Sequence, residues 1–205
     1  MAMELTNTGR NNVITNGLTS FTHIGAYEDL GTTETSGGSY ARQAITWTAA
    51  GTPAAGQRSN NAQLLVPIAA GKTIQCGSVH DALTGGNLQA LFQIGSTLKG
   101  TGSAAASTDV ITDSSHGLTT DDRVFFCQVA GQALPTGISA TVLYFVLASG
   151  LTASAFKVST TSGGSALDIT ADGECAWFKT VPNTFASAGN LTFATNALVF
   201  DQTYI

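Results

Sequence analysis

The sequence predicts an all-β protein, a jelly-roll-like β-sandwich with a small β-barrel or sandwich domain inserted into it. Three observations lead to this fold class. Short segments of alternating apolar and polar residues recur along the chain, and clusters of Gly, Asn, Ser and Pro separate them. No window of twelve residues keeps the apolar spacing of an amphipathic helix without a Gly or a β-branched cluster. Short strands at regular spacing with such turns are typical of sandwiches and barrels.

The predicted strands of the sandwich are short, and turn clusters lie between them. The strands are expected at residues 40–47, 63–68, 73–79, 90–98 and 191–200, and the turns at residues 35–39, 50–53, 70–72 and 84–87. Pro67 indicates that its strand is an edge strand or a bulged strand, because proline cannot donate a hydrogen bond to a sheet. Residues 6–22 are expected to form one short helix or a loop.

The chain changes character at residues 100–107, where the run Gly-Thr-Gly-Ser-Ala-Ala-Ala-Ser has the composition of a linker. A second set of strands follows it, at residues 109–112, 123–129, 142–147, 155–159, 167–170 and 175–178. The sequence pattern of residues 180–205 then resembles that of the residues before position 100 again. We therefore expect a sandwich made of residues 1–100 plus 180–205, with residues 101–179 as the inserted β domain.

Large aromatic side chains are the candidate core residues. Those predicted to lie in the core of the sandwich are Tyr40, Trp47, Phe92 and Phe193. Trp177 and Phe178 are predicted to close the seam of the inserted domain. A sugar-stacking role for Trp47 or Trp177 is the weaker interpretation, because large aromatic residues at strand ends are more often core or interface anchors.

Composition and charge exclude several classes of function. Only 10% of the residues are charged, the net charge is −5 and the isoelectric point is about 4.9. Binding nucleic acid through its phosphates needs a basic stripe, and polybasic attachment to a membrane needs clustered Lys and Arg. The eight Lys and Arg are scattered. We therefore expect neither nucleic acid nor a membrane as partner. The 43% of apolar residues suffices for a core.

The chain shows no targeting or redox motif. No run of 18 apolar residues predicts a transmembrane helix, and residues 1–10 lack the basic and apolar stretches of a signal peptide. Cys76, Cys127 and Cys175 form no C-x-x-C pair. Three small, partly buried thiols are favoured over a structural disulfide, although a Cys127–Cys175 bridge stays open because both residues lie in the inserted segment.

No catalytic, cofactor-binding or metal-binding residues are predicted. His80 and Asp81 are adjacent, so a strand would send their side chains to opposite faces, and His116 with Gly117 reads as a turn that opens the inserted domain. A glycosidase needs two acids that face each other across a cleft. The acid pairs of this chain, at residues 28–29 and 121–122, are instead expected in a loop and in a turn.

Glycine-rich motifs give no sign of phosphate binding or of an esterase. Ser-Gly-Gly-Ser occurs at residues 36–39 and again at residues 162–165, in neither case followed by the Lys and helix of a phosphate-binding loop. Both copies are therefore expected to be hairpin turns. The chain has no G-x-S-x-G nucleophile motif.

Three separated blocks resemble a family of small structural proteins of tailed bacteriophages. Residues 36–47 read SGGSYARQAITW, residues 81–88 read DALTGGNL, and residues 190–200 read NLTFATNALVF. Members of this family carry similar blocks and are usually labelled minor tail, tail-fibre or virion structural proteins. Parts of the segment between residues 116 and 166 are similar to a β module that recurs in phage tail and baseplate proteins.

The resemblance implies a non-enzymatic part of the virion, exposed on its outer surface and assembled in the host cytoplasm. The leading hypothesis is a capsid decoration or cement protein, a homotrimer that reinforces the shell by bridging major capsid proteins. The alternative is a minor tail or tail-fibre-associated protein that contacts tail proteins and the host surface. Few charges and many Thr, Ala and Asn side chains suit a subunit packed among many copies. A carbohydrate-active enzyme is the third hypothesis, for which the sequence offers no clear acid pair.

Overall fold

The computed structural model describes residues 16–129 and 132–201. These residues form an all-β protein, which confirms the predicted fold class, and a 3₁₀ turn at Leu18–Ser20 precedes the first strand. The expectations for residues 1–10, and for residues 6–15 of the predicted helix or loop, fall outside the described residues. No helix within the described ranges is long and apolar enough to cross a lipid bilayer.

The strands are short, as the turn spacing predicts. In chain order they are β1 (His23–Tyr27), β2 (Gln43–Ala44), β3 (Gln57–Ser59), β4 (Leu64–Ile68), β5 (Lys72–Ile74), β6 (Cys76–His80), β7 (Leu88–Gln93), β8 (Lys99–Ala105), β9 (Val110–Thr112), β10 (Arg123–Cys127), β11 (Tyr144–Val146), β12 (Ala155–Phe156), β13 (Val158–Ser159), β14 (Gly173–Thr180), β15 (Asn183–Phe185), β16 (Gly189–Phe193) and β17 (Val199–Asp201).

The chain divides into two compact units. The first unit takes in Glu34–Phe92 together with the chain through Glu28 and the chain from Thr184 onward. The second, which we call the barrel unit, takes in Asp29–Thr33 and Gln93–Asn183.

A four-stranded sheet with the order β2-β1-β6-β7 is the centre of the first unit. β1 pairs with β6 along its whole length, from His23 opposite His80 to Tyr27 opposite Cys76. Outside this sheet, β16 pairs with β4 and β17 pairs with β3. These two pairings join the last strands of the chain to strands from its first half. β4 pairs only with β16 among the described strands, which agrees with the edge position predicted from its proline.

A buried asparagine fixes the return of the chain to the first unit. Asn60 donates from Nδ2 to the carbonyl oxygens of Ala62 and Ala194, at 2.8 Å each. Its Oδ1 accepts a hydrogen bond of 2.8 Å from the backbone N–H of Leu198. Because buried backbone groups must be paired, these three hydrogen bonds contribute to fixing the path of the segment between β16 and β17.

The barrel unit contains a seven-stranded sheet with the order β12-β9-β8-β14-β10-β11-β13. The two strands at its edges are consecutive in the chain, with Lys157 alone between them. β12 pairs with β9, whereas β13 pairs with β11, so one extended segment joins both edges. The sheet therefore nearly closes into a barrel, which leaves few free edges. Its largest interior side chains are Phe126, Tyr144, Phe156 and Trp177.

The linker prediction for residues 100–107 is wrong. Lys99–Ala105 form β8, which lies between β9 and β14 in the barrel. Small residues are needed here because a Cβ at Gly100 would lie 2.8 Å from the Trp177 ring, and one at Gly102 would lie 2.6 Å from Ile111. The missing side chains are a packing requirement, which composition alone does not distinguish from flexibility.

The remaining predicted strands of the insertion form, except the one at residues 167–170. Its backbone N–H groups find partners outside a regular ladder. Those of Leu167 and Thr170 donate to the carbonyl oxygens of Val158 and Thr136, and that of Ile169 donates to the Asp109 carboxylate. The segment therefore forms no regular strand, because its hydrogen bonds go to one residue of β13, to a turn and to a side chain.

The aromatic core predicted for the sandwich is wrong: Tyr40, Trp47, Phe92 and Phe193 are all half-buried. Side chains such as Ile24, Val66 and Ile74 fill the interior instead. Each aromatic residue has a local partner, such as the 5.5 Å edge-to-face contact of Phe92 with Phe193.

In the barrel unit, Trp177 lies in the interior, whereas half-buried Phe178 stacks on Phe125 at 5.3 Å. Successive residues of a strand point to opposite faces, so these two neighbours do not form one seam.

Candidate functional site

Two of the sequence blocks meet in the first unit. Arg42 lies just before β2, and the loop at residues 82–87 connects β6 to β7. The Arg42 Nη1 donates to the carbonyl oxygen of Ala82 at 2.8 Å and to that of Gly85 at 2.6 Å. The sheet order explains why Arg42 reaches this loop, because β1 is the single strand between β2 and β6. We call residues 82–87 the clamped loop.

A carboxylate holds Arg42 in place. Its Nε and Nη2 donate to the two oxygens of Glu34 at 2.8 and 2.7 Å, the bidentate geometry that Arg and carboxylates favour. The Tyr40 hydroxyl donates to the same carboxylate at 2.6 Å. Burial alone would raise the pKa of Glu34, but the hydrogen bonds from Arg42 and Tyr40 outweigh it and hold the pKa below its ordinary value. Glu34 therefore stays ionised as the partner of a buried guanidinium.

Asp81 closes the base of the clamped loop. Its two carboxylate oxygens accept hydrogen bonds from the side-chain amide of Asn87 at 2.9 Å and from the backbone N–H of Asn87 at 2.7 Å. These bonds lower the pKa of Asp81. Gly86 adopts φ +67°, and a Cβ there would lie 2.8 Å from Ala82. The turn predicted at residues 84–87 is thus confirmed as part of a loop closed at both ends.

The clamped loop presents an uncharged surface. Leu83 is 52% exposed, and Leu88, the first residue of β7, is 38% exposed. Residues 82–88 contain no Asp, Glu, Lys or Arg. A loop whose ends and carbonyl groups are already paired loses little conformational entropy when it binds, so this arrangement suits protein–protein contact.

His80 lies next to the clamp. It is 1% exposed, stacks on Tyr27 with 5.9 Å between ring centroids, and has Nε2 3.0 Å from the Ser78 hydroxyl. Its Nδ1 has no hydrogen-bond partner in the described part of the chain. Burial, with the positive charge of Arg42, lowers the pKa of His80. The side chain is therefore uncharged at neutral pH and packs against Tyr27.

The first unit should lose stability as the pH falls below about 6.5, the ordinary pKa of the His80 side chain. The unfolded chain then takes up a proton that folded His80 resists, which costs at most about 1.4 kcal/mol per pH unit. Glu34 adds a loss only at lower pH, because its ordinary pKa is 4.5 and folding lowers it.

The measurement for this prediction is the urea midpoint at several pH values between about 7.5 and 5. His80→Phe keeps a ring against Tyr27 and removes the titrating group, so its midpoint should depend less on pH. An unchanged pH dependence in this variant would contradict the prediction.

The other histidine singled out by sequence also has a structural place. His116 is buried, and its Nδ1 accepts a hydrogen bond from the backbone N–H of Leu118 at 3.0 Å. Its Nε2 therefore carries the hydrogen and donates to the carbonyl oxygen of Thr152 at 2.8 Å. The residue holds two segments of the barrel unit together just after a turn.

The acid pairs singled out by sequence take part in local contacts. Asp122 accepts a hydrogen bond from the backbone N–H of Thr119 and forms an ion pair of 2.8 Å with Lys179, so it serves the turn that was predicted before β10. Asp121 accepts a hydrogen bond from Ser162, in the second Ser-Gly-Gly-Ser turn.

In the other pair, at residues 28–29, Glu28 forms an ion pair with Lys72. Asp29 accepts hydrogen bonds from the backbone N–H groups of Thr32 and Thr33. Both acids therefore serve local contacts, in the loop that was expected to contain them.

The cysteines are free thiols, so the open Cys127–Cys175 bridge is not formed. Cys127 lies opposite Ala176 on the neighbouring strand, which places the Cys175 side chain on the other face of the sheet. Within the described ranges, no group of three or more His, Cys, Asp or Glu side chains is placed to hold a metal ion.

Sequence reasoning missed the roles of Glu34 and Arg42. Glu34 belongs to no acid pair, and Arg42, which lies in the block at residues 36–47, belongs to no catalytic or binding motif. The two residues are joined only by the fold. One signal was present, since Arg42 is one of only eight basic residues and lies in an otherwise uncharged block.

Part of the chain matches a known protein family. Residues 18–119, just under half of the chain, match the family described as Podophage GP4 fiber I protein gp80. The matched stretch includes Glu34, Arg42 and the clamped loop, whereas the third block at residues 190–200 lies beyond it. No curated protein and no solved structure gives a significant match. Over residues 18–119 the chain is therefore similar to a phage fibre protein family, which supports a structural protein of the phage particle of the tail-fibre type.

Proposed function

We propose that this protein is a non-enzymatic component of the phage tail, associated with the tail fibre and in contact with other tail proteins or the host surface. The observation that carries the proposal is the match of residues 18–119 to a phage fibre protein family. The match contains the clamp and the loop that it holds, so the residues that shape this surface lie within the family-like part of the chain.

The chemistry of the clamp supports a structural role. Arg42 and Asp81 use their charged groups to fix the backbone and a side chain of the clamped loop, and Glu34 holds Arg42 in place. The solvent-facing surface of the loop and the start of β7 is uncharged, and the exposed side chains of Leu83 and Leu88 make it partly apolar. Ion pairs turned inward and an uncharged outer surface favour binding to another protein over binding and conversion of a small substrate.

Capsid decoration is the second candidate function. Its support is that the sequence has neither the heptads of a coiled coil nor the repeat of a fibre shaft. In that role the chain would bridge major capsid proteins on the outside of the shell.

Copy number in purified particles distinguishes the two candidates. For a tail-fibre-associated protein, quantitative mass spectrometry should find a small percentage of copies relative to the major capsid protein. A ratio near one, or a simple fraction such as about one third, would contradict the tail proposal and favour decoration. Absence from the particle would overturn both.

A further inference from the structure

The buried histidine at the end of β6 lies close to the carboxylate of the clamp. His80 shares one face of the sheet with Ser78 and Gly25, because residues two apart in a strand and residues directly opposite in neighbouring strands point to the same side. A Cβ at Gly25 would lie 3.0 Å from the Ser78 hydroxyl oxygen. It would lie 2.9 Å from the Tyr40 hydroxyl oxygen and 3.2 Å from Glu34 Oε1. The hydroxyl group that contacts the His80 ring and the carboxylate of the clamp therefore meet above Gly25.

The site of His80 has no place for a second ring proton. The hydrogen of the neutral ring belongs on Nε2, where it can be donated to the Ser78 hydroxyl oxygen at 3.0 Å. Protonation adds an N–H at Nδ1, and no group in the described part of the chain accepts a hydrogen bond from it. The residue is 1% exposed, so bulk water does not reach the ring. A protonated His80 is therefore a buried charge with an unpaired donor, which is costly.

Charged groups around His80 link the ring to the clamp. Titratable side chains face the ring or share its side of the sheet on β1, between β1 and β2, directly after β6 and on β6 itself; in that order they are His23 and Tyr27, Glu34, Tyr40 and Arg42, Asp81, and Cys76. β2 and β7 carry no titratable side chain. Arg42 is the cation that pairs with Glu34, and a proton on His80 brings a second positive charge to the same carboxylate. Asp81 is already bonded to Asn87, so two cations then compete for Glu34.

We propose that His80 makes the clamp an acid-sensitive switch: a proton on His80 releases Arg42 from Glu34 and opens the clamped loop, and loss of the proton closes it again. The loop moves rather than the sheet, because side chains hold the loop whereas β6 is paired with β1 along its whole length. Opening lets water reach the charged ring and frees the carbonyl groups that Arg42 binds. The switch is a property of the chain itself, so it does not rest on the proposed place of the protein in the phage tail.

Native-state hydrogen exchange of the full chain, followed at the Asn87 amide from about pH 7.5 to about pH 5, tests the switch. In the closed loop this backbone N–H donates to Asp81 Oδ1 at 2.7 Å. Its protection factor, which corrects for the intrinsic effect of pH on exchange, should fall below about pH 6.5, the ordinary pKa of the His80 side chain. The fall is at most about tenfold per pH unit, because the open loop binds one proton that the closed loop resists. The amides of β1 and β6 should keep their protection.

The carboxylates of the clamp stay ionised over this pH range. Burial alone would raise the pKa of Glu34, but hydrogen bonds from Arg42 and Tyr40 hold it below its ordinary value of 4.5. Hydrogen bonds from Asn87 lower the pKa of Asp81. A change in protection between about pH 7.5 and about pH 5 therefore reports on a histidine.

Three variants identify the histidine. His80→Gln keeps a side-chain donor for Ser78, and His80→Phe keeps a ring against Tyr27, so either variant should hold the loop equally closed at both ends of the pH range. Circular dichroism checks that each is folded, and if one is not, the other carries the comparison. His23→Gln is the matched control, since His23 lies directly opposite His80 on β1, and it should keep the pH response of the unaltered chain.

Four results would overturn the inference. They are equal protection of the Asn87 amide at both ends of the pH range, a pH response that persists in the folded His80 variants, a response that His23→Gln abolishes, and a loss of protection shared equally by β1 and β6. The last would mean that acid unfolds the whole unit and does not open the loop. None of them bears on copy number in the particle, so the inference and the proposed function can fail separately.

Discussion

Replacing Arg42 by methionine should lower the free energy of unfolding by about 3 kcal/mol, within the range of about 3–5 kcal/mol seen when one partner of a buried ion pair is removed. Arg42 is 9% exposed and makes two hydrogen bonds to Glu34 and two to backbone carbonyl groups of the clamped loop. The substitution leaves a carboxylate without its partner. It also leaves the carbonyl oxygens of Ala82 and Gly85 without donors, and methionine can restore none of these bonds.

The chain offers a matched control in Lys72→Met. Lys72 forms an ion pair with Glu28 at 2.7 Å, the same distance that joins Arg42 to Glu34, but its side chain is 29% exposed rather than 8%. The two carboxylates are about equally exposed, at 27% for Glu28 and 25% for Glu34, so the burial of the cation is what differs. Ion pairs open to solvent contribute about 0–1 kcal/mol, so Lys72→Met should unfold at nearly the same urea concentration as the unaltered chain.

Urea unfolding followed by circular dichroism measures both variants, and hydrogen exchange at residues 82–88 shows where the change occurs. Arg42→Met should speed exchange in the clamped loop. Equal small losses of stability for Arg42→Met and Lys72→Met would show that burial adds nothing to the clamp.

The sequence predicts the strands of this protein better than it predicts the clamp. Alternation and β-branched residues identify β10 and β14, because their interior residues are large and apolar. β8 escapes detection because the Trp177 ring and the Ile111 side chain occupy the space that its side chains would need. A strand built of Gly and Ala has the composition of a linker, and only its neighbours show the difference.

The sequence also predicts the core residues incompletely. Alternation predicts which residues share a face, but the depth of each face depends on what packs against it. Tyr40 lies in a predicted strand region and is half-buried because its hydroxyl reaches the Glu34 carboxylate. The clamp follows from pairings between β1, β2 and β6, and no local pattern contains that information.

Replacing Trp177 by alanine should cost about 3–5 kcal/mol, the usual range for removing a large aromatic side chain from a core. Trp177 is 1% exposed, contacts Phe156 edge-to-face at 5.9 Å, and donates from Nε1 to Asp113 at 2.7 Å. Gly100 leaves β8 without a side chain next to the indole, so this residue of β8 supplies no atoms to fill the cavity. Trp177→Phe should cost less, because a ring remains in the barrel although the hydrogen bond to Asp113 is lost.

The two tryptophans make this prediction sharper, since Trp47 lies in the first unit and Trp177 in the barrel unit. In Trp177→Ala, the tryptophan fluorescence comes from Trp47 alone, while circular dichroism follows the strands of both units. If the barrel unfolds separately, circular dichroism should show an early transition that Trp47 fluorescence does not. If the two probes shift together, the units unfold as one cooperative structure, and the loss of Trp177 lowers the free energy of unfolding of the whole chain. A midpoint that does not move by either probe would contradict the interior role of Trp177, because a buried side chain of this size cannot be removed from a packed barrel without loss of stability.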